Sequence, residues 1–204
     1  MKVILICGSA RSQGNTYLAL SEISKQLAKH NIESEIIRLG AKPVRGCIVC
    51  GSCKKTNNRR CVFDDDLCNR VNEAMEHADA LIVGSPVYYG QPNGSVLALM
   101  QRMFYTAGDL YRNKPAAAVA VCRRGGATAA LQTLLMPFQM MNMPIATSQY
   151  WNIVYGRDEG QAALDTEGMQ TMRTLADNMA FLLKNTAAQP LPTREQPQPM
   201  SFIR

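Results

Sequence analysis

Apolar and polar positions along this chain switch repeatedly between a strand-like and a helix-like pattern. Lys2–Cys7 (KVILIC) is a short apolar run ending at Gly8, as in a strand buried on both faces. Asn15–His30 then carries Leu18, Leu20, Ile23 and Leu27 at helical spacing. Glu33–Leu39 reads as a second strand. Asp64–His77 reads as a helix opened by three acidic residues, which suit and cap the positive end of a helix. Ala78–Gly84 is a third strand, apolar after Asp79, and Ser95–Thr106 a helix. Pro115–Cys122, rich in Ala and Val, is the fourth strand. Ala127–Asn142 is a Met- and Leu-rich helix, kinked or interrupted at Pro137. Pro144–Val154 contains a fifth strand, and Leu164–Lys184 is the last helix.

Strands alternating with helices predict one α/β domain over residues 1–184, built on a doubly wound, five-stranded parallel sheet covered on both faces. The expected strand order is 2-1-3-4-5. In such sheets ligands sit beyond the carboxyl ends of the strands, where the winding reverses between strands one and three. Two loops are therefore marked before any motif is consulted: the one after Cys7 and the one after Gly84. Residues 185–204 carry four prolines and three glutamines and read as a tail outside helix and central strand. It is either unstructured or an arm lying across a neighbouring subunit.

Composition narrows the class. Apolar residues are 47% and charged residues 19%, as in globular proteins. No apolar run approaches the roughly 18 residues of a membrane span. The opening apolar run is too short for a signal peptide before Arg11, Gly14 and Asn15. The expectation is a cytoplasmic chain with no membrane partner. The net charge is +6, but only 6% of residues are aromatic and the densest basic stretch is Lys54–Arg60. That charge suits attraction of anionic cofactors better than nucleic-acid binding.

The loop Gly8-Ser9-Ala10-Arg11-Ser12-Gln13-Gly14-Asn15-Thr16 joins the first strand to the first helix. Unpaired amides at a helix start attract anions. Ser9, Ser12 and Thr16 add hydroxyls, Arg11 adds charge, Gly14 permits close approach, and Asn15 and the serines can cap. The glycine and lysine of a Walker loop are replaced by Gln13 and Gly14, and G-x-G-x-x-G fails at Ala10 and Gln13. A monophosphate dianion fits such a loop better than a triphosphate. Ser85-Pro86-Val87-Tyr88-Tyr89-Gly90 follows the third strand, where Pro86 stiffens a turn and Tyr88 or Tyr89 can cover a ring; a tight turn with aromatic packing is the alternative. Arg123, Arg124, Gly125 and Gly126 follow the fourth strand. Its glycines allow close backbone approach and its arginines either meet an anion or stay solvated.

Four of seven cysteines form C-x2-C-x2-C-x7-C at Cys47, Cys50, Cys53 and Cys61. A disulfide framework is not expected in a cytoplasmic chain. The spacing is that of iron–sulfur ligands, with nearby Lys and Arg to offset cluster charge; free or redox-active thiols and zinc are the alternatives. Cys7, Cys68 and Cys122 read as small hydrophobes. His30 and His77 fall near helix ends, where a cation is favourable, and neither is assigned a catalytic role.

Ser9–Thr16, Ser85–Gly90, Cys122–Gly126, Tyr150–Gly156 and Asp165–Gly168, in that order, resemble the NADPH-dependent FMN reductase and iron–sulfur flavoprotein family. The resemblance covers about residues 1–184. It implies a flavodoxin-like fold and FMN held by Ser9, Arg11, Ser12, Gly14, Asn15, Thr16, Ser85, Pro86, Val87, Tyr88, Tyr89, Gly90, Arg123, Arg124, Gly125 and Gly126. It further implies NAD(P)H as cosubstrate, with electrons passed to a quinone, flavin, azo compound or redox protein. No side chain is assigned a catalytic role, because the hard chemistry is the flavin's. A non-enzymatic electron carrier with a [4Fe–4S] cluster on the four cysteines is the main alternative, and a binder of another small phosphate the third. Relatives imply a homodimer or homotetramer. Met136, Met140, Met141 and Met143 would then lie in the core or at a subunit interface.

Overall fold

Successive residues of a strand face opposite sides of its sheet, and this chain fills both sides. In the computed structural model, which describes residues 1–193, 195, 196, 198 and 200, five parallel strands run in the order β2-β1-β3-β5-β6. They are β1 (Lys2–Cys7), β2 (Glu33–Arg38), β3 (Ala80–Tyr88), β5 (Ala116–Cys122) and β6 (Ile153–Tyr155). Counting only these, the expected 2-1-3-4-5 order holds. The addition is β4 (Gln91–Pro92), which folds back antiparallel on the end of β3. Leu5 of β1 lies opposite Ile36 on one side and Ile82 on the other.

After β2 and the short helix α2 (Ser52–Thr56), α3 (Cys68–Glu76), α4 (Gly94–Tyr111) and α5 (Ala127–Met140) form one layer, where Ile4, Ile6, Leu81 and Val83 meet Met75, Met103, Phe104 and Phe138. Val3, Leu5, Ile82 and Val119 face α1 (Asn15–Lys29) and α6 (Thr166–Ala187), meeting Leu20, Ile23, Leu27 and Met179. Each such fully buried side chain contributes about 1.5–3 kcal/mol. Among the described residues no helix is long and apolar enough to cross a membrane. The methionines of the α5 region divide: Met143 is buried, Met136 and Met140 exposed.

Several elements depart from the sequence pattern. The helix expected from Asp64 begins at Cys68, because Asp66 is drawn into an ion pair with Arg102; its other oxygen still accepts the Cys68 N–H at 3.0 Å. β3 continues past Gly84 because Ser85 and Pro86 pair with Ala120 and Val121 of β5. Pro137 does not interrupt α5: it stands near the end of the helix, and the Met141 N–H bonds its carbonyl at 3.0 Å. The irregular turn lies in α4, where Ala107 has φ −136° and ψ 35°. α6 continues to Ala187, three residues into the expected tail; residues 194, 197, 199 and 201–204 of that tail lie outside the described residues.

The ends of β1 and β3 touch. The Gly8 N–H bonds the Gly84 carbonyl at 2.8 Å, and Asn93 ties both ends together by donating to the Gly8 carbonyl and to the Ser85 hydroxyl. A Cβ on Gly8 would stand 2.2 Å from Val96 Cγ2 and 3.0 Å from the Gly84 oxygen. We expect Gly8→Ala to cost about 1–3 kcal/mol, read as a lower midpoint in urea unfolding.

Candidate functional site

Beyond the touching ends of β1 and β3 lies a cleft of about 180 Å³. One end is formed by the loop from β1 into α1. Ser9 and Thr16 are nearly buried there, and the Ser9 Oγ accepts the Arg11 N–H at 3.1 Å. Gly14 starts α1 without a side-chain cap, and the first turn holds no acidic residue. The leading amides of α1 therefore add to the positive end of the helix. Arg11 lines the cleft and donates to the Arg157 carbonyl at 3.5 Å.

The expected residues of this loop split. Asn15 lines the cleft, but its amide group is spent: it donates to the Asp158 carbonyl at 2.9 Å and accepts the Ala162 N–H at 3.1 Å. It clamps the loop after β6 onto α1. Ser12 is exposed and outside the cleft lining; its carbonyl accepts from Arg38 at 3.0 Å.

The other end of the cleft is formed by Pro86, Val87 and Tyr88 with Cys122 and Arg123. Ser85 is fully buried, and its hydroxyl is shared between the Asn93 N–H and the Pro86 carbonyl. Tyr89 and Gly90 make the turn from β3 to β4 with φ values of 51° and 78°. Positive φ at both central residues is the geometry of the tight turn whose twist matches paired strands. Tyr89 is fully exposed and outside the cleft lining. Arg124 and Gly125 are exposed beyond the rim. Gly126 has φ 84°, and a Cβ there would lie 2.7 Å from Gly90 Cα. The two loops thus pack glycine on glycine.

Sequence reading missed Val121, Cys122, Gly156 and Arg157, all of which line the cleft. The available signal was the carboxyl-edge rule, which applies equally to the ends of β5 and β6. Burial pushes the Cys122 thiol above its ordinary value, so it is neutral near neutral pH. Gly156 holds the β6 end against β5, its N–H bonding the Cys122 carbonyl at 2.9 Å.

A second, much tighter cavity, of about 20 Å³, brings together Cys47, Cys50, Cys53 and Cys61. The backbone is bent tightly around it: Val49, a β-branched residue, has φ 53° and Gly51 φ 70°. The Val49 N–H donates to Cys47 Sγ at 3.4 Å, and Arg102 Nε donates to Cys61 Sγ at 3.3 Å. Hydrogen bonds from Ser52 hold the Cys50 thiol below its ordinary value. Among the described residues no three His, Cys, Asp or Glu side chains stand close enough to hold one metal ion. The four cysteines line one pocket without converging on a single point among the described residues.

The basic residues near this cavity divide: Lys55 favours the thiolate of Cys50, while others have partners of their own. Arg59 pairs with Asp109 and Glu76, Arg60 with Glu73 and Asp64, and Lys54 lies over the Tyr105 ring at 4.7 Å. The cation that hydrogen-bonds a cysteine sulfur here is the buried Arg102 of α4, for which the sequence carried no signal.

The family model for NADPH-dependent FMN reductase matches residues 1–158. An iron–sulfur flavoprotein of Methanocaldococcus jannaschii is 34% identical, the alignment covering 90% of this chain and 98% of that protein. An iron–sulfur flavoprotein of Archaeoglobus fulgidus is 32% identical over 74% of this chain and 78% of its own. Among solved structures, the flavodoxin-type, WrbA-like protein of Agrobacterium tumefaciens superposes with a TM-score of 0.64 at 12% identity, covering 91% of this chain and 98% of that one. That likeness shows the fold, which is flavodoxin-like. With most of its length matched in sequence and its strands in the order expected, the chain belongs to the NADPH-dependent FMN reductase family.

Proposed function

We propose that the chain is an FMN-dependent NAD(P)H oxidoreductase that passes electrons from NAD(P)H to a quinone, flavin or similar acceptor. The observation that supports this reading is the two-ended cleft at the carboxyl edge of the sheet. When bound, FMN supplies the redox chemistry. The protein supplies position and charge. Ser9, Thr16 and the leading amides of α1 seat the phosphate, with Arg11 and Arg157 neutralising it. Pro86, Val87 and Tyr88 give an apolar wall for the ring. Arg123, exposed at the rim, favours negative charge at the ring's polar end or meets the phosphates of incoming NAD(P)H.

A second reading is favoured by the cysteine cavity. In it Cys47, Cys50, Cys53 and Cys61 hold a [4Fe–4S] cluster, and the chain relays electrons between protein partners. The donor set fits: four thiols around one cavity, with a backbone amide and a guanidinium donating to two of the sulfurs. Ile48, Val49 and Val62 are exposed beside it, an apolar surface suited to a redox partner.

Anaerobic addition of NADPH to the FMN-loaded protein is expected to bleach the yellow flavin band within a catalytic turnover. Persistence of the band, with bleaching by reduced ferredoxin, would select the carrier reading instead. Arg157→Gln is expected to weaken FMN binding about tenfold, measured by quenching of flavin fluorescence. Cys61→Ser, purified anaerobically, is expected to lose iron while keeping a full complement of FMN; equal iron in variant and parent would remove Cys61 from the ligand set.

A further inference from the structure

We propose that Arg102 acts as a positioning and charge-setting residue for Cys61, raising the reduction potential of a cluster held by the four cysteines. The proposal rests on the iron–sulfur reading above. Arg102 lies on α4, with a side-chain exposure of 1%. Nε points at Cys61 Sγ, Nη2 donates to the Phe63 carbonyl at 3.2 Å, and Nη1 reaches the Arg45 carbonyl at 3.4 Å and the carboxylate of Asp66. The guanidinium is held on every edge, so its orientation toward the sulfur is fixed.

A buried Arg–Asp pair is poor value as a stabiliser. Removing both charges from water costs about as much as their attraction returns, and apolar residues of similar size pack as well. The position of this pair makes sense through what else Arg102 touches. Among the described residues it is the only basic side chain that hydrogen-bonds a cysteine sulfur, while Arg45, Arg59 and Arg60 are occupied by carboxylates. Cys61 is also fixed from behind: Asn69 accepts its N–H at 2.7 Å and donates to its carbonyl at 3.1 Å.

Reduction adds one electron to a cluster and makes its ligating sulfurs better acceptors. A donor and a fixed positive charge at one sulfur therefore favour the reduced form. Burial keeps salt from screening this effect. Asp66 opposes it, since its negative charge offsets that of Arg102. The two residues thus pull the potential in opposite directions.

The test is a redox titration of anaerobically purified, FMN-containing protein, followed by the electron paramagnetic resonance signal of the reduced cluster. Asp66→Asn is expected to raise the midpoint potential. The double variant Asp66→Asn/Arg102→Gln, which leaves no buried charge unpaired, is expected to lower it. At a fixed potential the ratio of reduced to oxidised cluster should differ from the parent by about tenfold in each case. A pair that only stabilises the fold would leave both potentials where they were, and that result overturns the proposal while the cluster stands. A parent protein that takes up no iron overturns the iron–sulfur reading itself, and this inference with it. Should the double variant fail to fold, Asp66→Asn decides alone: a potential at or below the parent's overturns the assignment.

Discussion

Gly8 has no room for a side chain, and the binding edge is built around that fact. Its amide bonds the Gly84 carbonyl, its Cα faces Val96, and its carbonyl accepts from Asn93. The close contact keeps the ends of β1 and β3 together where the chain's winding reverses direction. From that fixed point β1 turns away into α1 and β3 runs on toward its hairpin, and the space between the diverging loops becomes the cleft. Asn93 serves three tasks at once: it caps α4 through the Ser95 N–H, holds the β1 end, and occupies the Ser85 hydroxyl.

The two candidate centres handle charge in contrasting ways. The cleft presents helix amides, hydroxyls and exposed arginines, an arrangement that receives an anion from water with little reorganisation. The cysteine cavity sits against a fully buried guanidinium whose charge is balanced by Asp66. Around it, Asn69 and Asn72 bind loop carbonyls, with Tyr111 donating to Asn72 from the core at 2.7 Å. Buried polar groups without partners are costly, and here each amide and hydroxyl has one. The segment carrying Cys61 is therefore anchored to the core, whereas Cys50 lies on an exposed, tightly bent stretch.

Strand order and the location of the cleft were legible because both follow from alternation of elements and the carboxyl-edge rule, which need no side-chain detail. Four cysteines at close spacing also announced their common cavity. What escaped was detail set by contacts between distant segments. Asn15 has the composition of a phosphate ligand, and its side chain also holds the distant loop after β6, while the Ser12 carbonyl meets Arg38 of β2 and the Ser85 hydroxyl meets Asn93. Arg157 belongs to a loop that only the pairing of β5 with β6 brings to the cleft. Arg102 sits in an otherwise apolar helix pattern, and no local rule separates a buried arginine from an exposed one. The acidic run Asp64–Asp66 looked like a helix start because that is its local preference; a buried cation took one of its members instead.

The packing of Gly90 on Gly126 has a consequence for how this family member can change. The hairpin after β3 and the loop after β5 meet there, and a Cβ added to Gly126 would stand 2.7 Å from the Cα of Gly90. Gly126 cannot acquire a methyl group without moving the hairpin, whereas a Cβ on Gly90 would meet open space and is opposed only by its φ of 78°. A substitution at Gly126 is therefore felt by the hairpin as well, while one at Gly90 strains only its own backbone.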